Sequence, residues 1–235
     1  EAYPLQDSIV TSTAKRKVIC AGRRAGKTTL AAMLAIDAML DGKKVLLTST
    51  TQDQADAFWD KVKPWLWPLF ERKLAYKNEG RRIIDFNGGR IRVKTGSDPD
   101  VLRGADCDLL VLDECALLDP QAWDEVGAPM LADRDGDAVF ISTPRRRNWF
   151  YHLYLKAKMH EADGDPRWRA WNFTTLENPH LSKPALDELT RDMSAEAYKQ
   201  EILAEFLEGQ GVVFRRVREC IQSIPTEPYA GEFVA

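Results

Sequence analysis

The sequence predicts an α/β fold in which a largely parallel sheet is covered by helices on both faces. Short apolar runs alternate with segments of helical composition, and strands buried on both faces read as continuous apolar stretches. Several runs end in glycine or polar residues, at the carboxyl edge where open α/β sheets bind ligands. The first run passes through a glycine-containing loop straight into a helical segment.

Lys17-Val18-Ile19-Cys20-Ala21 stops at Gly22 and suits a buried strand. Residues 27–40, KTTLAAMLAIDAML, have helical composition, with Gly42 just past the end. Val45-Leu46-Leu47-Thr48-Ser49 is a second buried strand, and 53–63 is predicted to be a helix that ends where it meets Pro64. Arg82–Phe86, the turn Asn87-Gly88-Gly89 and Arg90–Lys94 predict a β-hairpin. Leu109-Leu110-Val111-Leu112 is the most apolar strand and ends in Asp113-Glu114, while Ala138–Ser142 runs into Thr143-Pro144. After Pro166 the character changes: one last strand is expected over 168–175, then helices over 183–193 and 195–207. The expected division is a core domain over 1–165, a small lid or linker subdomain over 166–208, and a loosely ordered tail over 209–235 rich in glycine and proline.

Composition sets limits. The chain has 235 residues, 44% of them hydrophobic and 29% charged, as in an ordinary soluble globular protein. No uncharged apolar run approaches a membrane span, and the N-terminus does not read as a signal peptide. Glu1 in place of Met reads as a trimmed or processed start. Cys20, Cys107, Cys115 and Cys220 lack metal-binding spacing and fit a reducing compartment. With net charge -3, contact with nucleic acid would have to come from local patches. One runs from Glu71 to Lys94, with eight basic residues, including Arg81, Arg82, Arg90 and Arg92, against three acidic ones. A solvated hairpin surface and a phosphate-tracking surface are both open readings of it.

Three strand ends carry chemistry. The loop Gly22-Arg23-Arg24-Ala25-Gly26-Lys27-Thr28-Thr29 between a strand and a helix is a phosphate-binding pattern. Its backbone N–H groups and the helix N-terminus face an anion, Lys27 reaches the β- and γ-phosphates, and the Thr28 hydroxyl can ligate Mg²⁺. Asp113 at the tip of LLVLDE can hold Mg²⁺ through a water, and Glu114 can orient and deprotonate an attacking water, which favours hydrolysis over transfer. Ser142-Thr143-Pro144 is either a strand-ending turn or a sensor of the γ-phosphate. Arg145, Arg146 and Arg147 either contact a partner's phosphates or open an exposed helix.

Together, CAGRRAGKT, LRG at 102–104, LLVLDECA, ISTP, NPHL at 178–181 and YKQEILAEF at 198–206 resemble the P-loop ATPase domain of tailed-bacteriophage large terminase subunits, the motors that package viral DNA. The resemblance runs from about Leu5 to Phe206 and implies an ASCE, RecA-like sheet using ATP and Mg²⁺. It implies that Arg23 contacts the γ-phosphate from within the subunit, that Lys27, Thr28, Asp113 and Glu114 take the roles above, and that Thr143 couples hydrolysis to movement. Gln6, after Pro4-Leu5, matches the family's adenine-reading glutamine. Arg103 stands where some relatives place an arginine finger that reaches a neighbouring subunit; a local ion pair with Asp100 or Asp106 is the alternative. Arg24 has no assigned role beyond lying in the loop, and is expected to face outward.

The partners implied are double-stranded DNA, a portal protein, a small terminase subunit and further copies in a ring on the procapsid, in the host bacterial cytoplasm. Family members continue into a nuclease domain. With no carboxylate cluster in the 209–235 tail, no nuclease activity is expected of this chain. Three other readings remain: a helicase or remodelling ATPase, although Asp113-Glu114-Cys115-Ala116 is not a DEAD or DEAH box; a nucleotide switch that drives nothing; and a small-molecule kinase, disfavoured by Glu114.

Overall fold

The structure is a computed structural model that describes residues 2–95, 102 and 106–208. Eight strands form one sheet in the order β3-β4-β5-β2-β6-β7-β1-β8. The strands are β1 (Arg16–Ala21), β2 (Lys44–Ser49), β3 (Ala75–Asn78), β4 (Ile83–Phe86), β5 (Gly89–Thr95), β6 (Leu109–Asp113), β7 (Asp137–Ser142) and β8 (Trp168–Phe173). From β5 to β8 every pairing is parallel; only β3 and β4 run antiparallel to their neighbours.

The helices are α1 (Pro4–Val10), α2 (Lys27–Leu40), α3 (Gln52–Glu71), α4 (Ala128–Ala132), α5 (Trp149–Ala162), α6 (Lys183–Thr190) and α7 (Ala195–Glu201). Because successive strand residues point to opposite faces, each central strand feeds two cores. Ile19, Leu47, Val111 and Ile141 join Leu30, Ala35, Phe58 and Val62 of α2 and α3 on one face. Val18, Leu46, Leu110 and Phe140 join Trp123, Phe150 and Leu153 on the other. Among the described residues, no helix is long and apolar enough to cross a membrane.

Several expectations need correction. The helix predicted to stop at Pro64 continues to Glu71, through both Pro64 and Pro68. Each proline removes one backbone donor, at a cost of about 3 kcal/mol in a helix interior. The buried stripe Ala55, Phe58, Trp59, Val62 and Leu66 nevertheless extends past Pro64, and packing against the sheet holds the last turns in place. The last strand ends at Phe173, and Thr175–Glu177 form a 3₁₀ turn. It also belongs to the central sheet, paired with β1 from Arg16↔Trp168 to Ala21↔Phe173.

The final helix stops at Glu201 rather than 207. Ile202 and Ala204 beyond it are buried, and Phe206 packs on Phe150, Tyr151 and Tyr154. Continuing the helix would carry those apolar groups off the core.

The hairpin forms as expected around Asn87 and Gly88, both left-handed with φ 45° and 85°, the geometry of a tight two-residue turn. Strand β3 and helices α1 and α4 have no counterpart among the expected elements, while α5 starts at Trp149, just past the three arginines that one reading placed at an exposed helix start. The residues of the tail over 209–235, including Cys220, lie outside the described ones, as does Arg103.

Candidate functional site

Sheet order assembles the site. Strand β7 lies between β1 and β6, so Ser142-Thr143-Pro144 sits between the loop after β1 and the acidic pair after β6. The register is close: Cys20 faces Ser142, and Asp113 faces Ile141.

Lys27, the first residue of α2, is only 8% exposed. Its Nζ donates to Thr143 Oγ1 at 2.7 Å and to the Gly22 carbonyl at 3.1 Å, and lies 3.3 Å from Glu114 Oε1. Glu114 is held from the other side: its Oε2 accepts from the Thr143 N–H at 3.2 Å and lies 3.2 Å from the Ser142 hydroxyl. Ser142 is fully buried and also accepts from the Ala116 N–H. It therefore orients the glutamate rather than facing the cleft. Glu114 adopts a left-handed backbone, φ 49° and ψ 43°, which is strained for a residue with a Cβ and typical of functional positions.

Asp113 is 3% exposed, and among the described residues its side chain accepts from the Glu114 N–H at 3.1 Å. Burial, then the charge of Glu114, push its carboxyl up to about 7, against the pull of Lys27. Among the described residues no cluster of three or more His, Cys, Asp or Glu side chains could cage a metal. Magnesium keeps most of its waters and takes one or two protein ligands plus phosphate oxygens, so a single carboxylate such as Asp113 and a hydroxyl such as that of Thr28 in the first turn of α2 are donors of the kind it takes.

A cleft of about 560 Å³ opens over Lys27 and Glu114, lined also by Arg23, Arg24, Gly26, Thr28, Thr29, Ala57, Lys61, Asn178 and Leu181. Four cations against one carboxylate make it suited to a polyanion. Arg23 and Arg24 are both exposed at its wall, so Arg24, expected to face outward, also borders the cleft. Gln6 lies beneath the loop, 2% exposed, with its Nε2 donating to the Gly26 carbonyl at 3.2 Å. Lys61, Asn178 and Leu181 escaped the sequence reading; of these, only Asn178 and Leu181 stood in a quoted motif.

The basic residues proposed for DNA do not form one surface. Arg82 pairs with Asp56 at 2.7 Å and Arg90 with Asp85 at 2.6 Å, while Arg81 and Arg92 are exposed. Arg90 is the second residue of β5, at the sheet edge opposite the cleft, whereas Arg145 and Arg146 follow β7 on the cleft side and are exposed.

Residues 18–219 match the family described as terminase large subunit, T4likevirus-type, N-terminal. The chain belongs to this family. It is 33% identical over 173 residues to the large terminase subunit of Thermus phage G20c, covering 65% of this chain but 36% of that protein. The chain thus spans about a third of that relative's length. The ATPase domain of the Thermus phage P74-26 large terminase superposes with a TM-score of 0.73 at 26% identity, covering 88% of this chain and 94% of that one. The large terminase of a thermophilic bacteriophage, solved in complex with ADP, gives 0.68 at 19% identity over 87% of this chain and 53% of that one. The chain thus shares the fold of that ATPase domain; in its own sheet the strand before the glycine loop, β1, and the acidic strand, β6, are separated by β7.

Proposed function

We propose that this domain binds ATP with Mg²⁺ in the cleft above β1, β6 and β7 and hydrolyses it. Within a large terminase, that turnover drives double-stranded DNA into the procapsid. The observation that carries the reading is the convergence of Lys27, Glu114 and Thr143 at one sheet edge, with Nζ–Oε1 at 3.3 Å and Nζ–Oγ1 at 2.7 Å. The likeness to a solved terminase ATPase domain at 26% identity supports it.

In this mechanism the loop N–H groups and Lys27 take the phosphates, and the ammonium leaves Glu114 and Thr143 to do so. Glu114, held by the Thr143 N–H, then accepts the proton of the attacking water. Thr28 and Asp113 would hold Mg²⁺, which when bound neutralises charge on the phosphate oxygens. Arg23 at the cleft wall stabilises charge developing on the γ-phosphoryl group, and Arg103 supplies a second cation from a neighbouring subunit. Thr143 passes the loss of the γ-phosphate into β7, and Arg145 and Arg146 just beyond it are the candidates for DNA contact. The partners are the portal, the small terminase subunit and copies of the same chain in a ring.

The test is Mg²⁺-dependent phosphate release by the chain, together with DNA packaging into procapsids by a full-length terminase carrying Lys27→Ala. Phosphate release and loss of packaging are expected. A chain that neither binds nor hydrolyses ATP, or a Lys27→Ala terminase that packages normally, overturns the proposal.

A further inference from the structure

The phosphate loop is held from outside by two segments distant in sequence. Four consecutive loop carbonyls each accept a hydrogen bond from a side chain beyond the loop. Thr175 Oγ1 donates to the Arg23 carbonyl at 2.6 Å, and Asn178 Nδ2 to that of Arg24 at 2.7 Å. The Tyr3 hydroxyl donates to the Ala25 carbonyl at 2.7 Å, and Gln6 Nε2 to that of Gly26 at 3.2 Å.

In a planar trans peptide the carbonyl and the following N–H point in opposite directions. Pinning those four carbonyls outward therefore turns the N–H groups of Arg24, Ala25, Gly26 and Lys27 into the concavity. The preceding peptide is reversed: the Arg23 N–H faces outward to the Glu201 carbonyl at 2.6 Å, and the Gly22 carbonyl faces inward, accepting from Ala25 N–H and Lys27 Nζ. The left-handed Arg24, φ 62°, and Gly26, φ 88°, give the curl that makes such a row of amides an anion nest.

From this geometry we infer that Tyr3, Gln6, Thr175 and Asn178 are positioning residues that preset the phosphate loop for a polyphosphate before any nucleotide arrives. Gln6 is 2% exposed and its amide serves the brace: Nε2 donates to the Gly26 carbonyl and Oε1 accepts from the Tyr3 N–H at 3.5 Å. The brace is tightly built. A Cβ on Gly22 would stand 2.5 Å from Thr175 Oγ1, and one on Gly26 2.7 Å from Gln6 Nε2. Thr175 is fully buried. Burial, and then Glu177, push the Tyr3 phenol up to about 12, so it remains a donor through the neutral range.

The inference rests on the nucleotide reading above. The test measures equilibrium binding of Mg²⁺-ATP and of inorganic tripolyphosphate to the chain and to Tyr3→Phe, Gln6→Ala, Asn178→Ala and Thr175→Val. Thermal unfolding without ligand is followed alongside. A brace acts on the phosphates alone, so each variant should lose affinity for both ligands by the same factor, about two- to tenfold. Thr175→Ser, which keeps the hydroxyl, should recover wild-type binding. If Thr175→Val fails to fold, Tyr3→Phe and Asn178→Ala still decide. Wild-type affinity in those two overturns the brace. So does a Gln6→Ala variant that loses ATP but keeps tripolyphosphate, which would make Gln6 a base contact. A wild-type chain that binds neither ligand overturns the nucleotide reading itself.

Discussion

Lys27 and Thr143, 116 residues apart in sequence, are joined by a 2.7 Å hydrogen bond across the tips of two adjacent parallel strands. The contact makes the loop lysine answerable to the strand that separates it from the acidic pair. A phosphate that draws Lys27 away also releases Thr143 and one side of Glu114. Thr143→Val removes this link with little change in volume. ATP affinity should stay within about tenfold of wild type while kcat falls about tenfold or more, the scale of a lost hydrogen bond to a charged group. Separate measurement of Kd and kcat checks this, and an unchanged kcat would remove Thr143 from the reaction.

Glu114 is oriented by the Thr143 N–H and Ser142, and it is the carboxylate that lines the cleft. Glu114→Gln should therefore bind ATP nearly as the wild type does and hydrolyse it ~10²–10⁴-fold more slowly. Single-turnover phosphate release would show it; retained turnover would hand the role of base to another group.

Asp113 carries a cost in stability that follows from its burial. Its pKa rises in the fold from 3.8 to about 7, so between those values the folded chain binds the proton more tightly than the unfolded chain. Stability is lost as pH rises through that window, and the whole penalty persists above it. Asp113→Asn should raise Tm at pH 8 without Mg²⁺ or nucleotide, by a margin that shrinks toward pH 5, while abolishing Mg²⁺-dependent hydrolysis. Equal Tm values at pH 8 would contradict the argument.

For Arg103, which lies outside the described residues, the prediction is one of complementation. Arg103→Ala should bind ATP and lose turnover by ~10³–10⁵-fold if it acts as an arginine finger. Mixed with Glu114→Gln in an assembled ring, it should regain part of the activity, because each subunit supplies what its neighbour lacks. Normal assembly without recovery would point to a local ion pair instead.

Cys20, Cys107 and Cys115 are free and buried. Burial pushes the thiols of Cys20 and Cys107 up to about 12, and that of Cys115 well upward. Alkylation mapped by mass spectrometry should leave all three untouched in the native chain and label them on unfolding. Rapid native labelling of Cys115 would mean that the acidic strand opens readily.

The parts legible in the sequence are those whose signal is local. Apolar runs marked β1, β2, β6 and β7, an uninterrupted helical composition marked α2 from Lys27 to Leu40, and Asn87-Gly88 marked the hairpin. Helix α5 gave little sign because its polar and apolar residues are mixed around its circumference and only Phe150, Leu153 and Ala157 are buried. Proline chemistry alone would end α3 at Pro64, yet Leu66 of the same stripe finds a place in the core, and tertiary packing overrules the local preference.

Of the site, sequence determined the loop residues and the acidic pair, since their chemistry follows from residue type and spacing between a strand and a helix. Only the tertiary structure decided that β7 would stand between them and deliver Thr143 to Lys27, because strand order is set by how helices cover the two faces of the sheet. The brace of Tyr3, Gln6, Thr175 and Asn178 was equally out of reach. Its four side chains come as two pairs about 170 residues apart in sequence, each spaced i,i+3 like countless unrelated turns, and they act on backbone carbonyls, which every residue possesses.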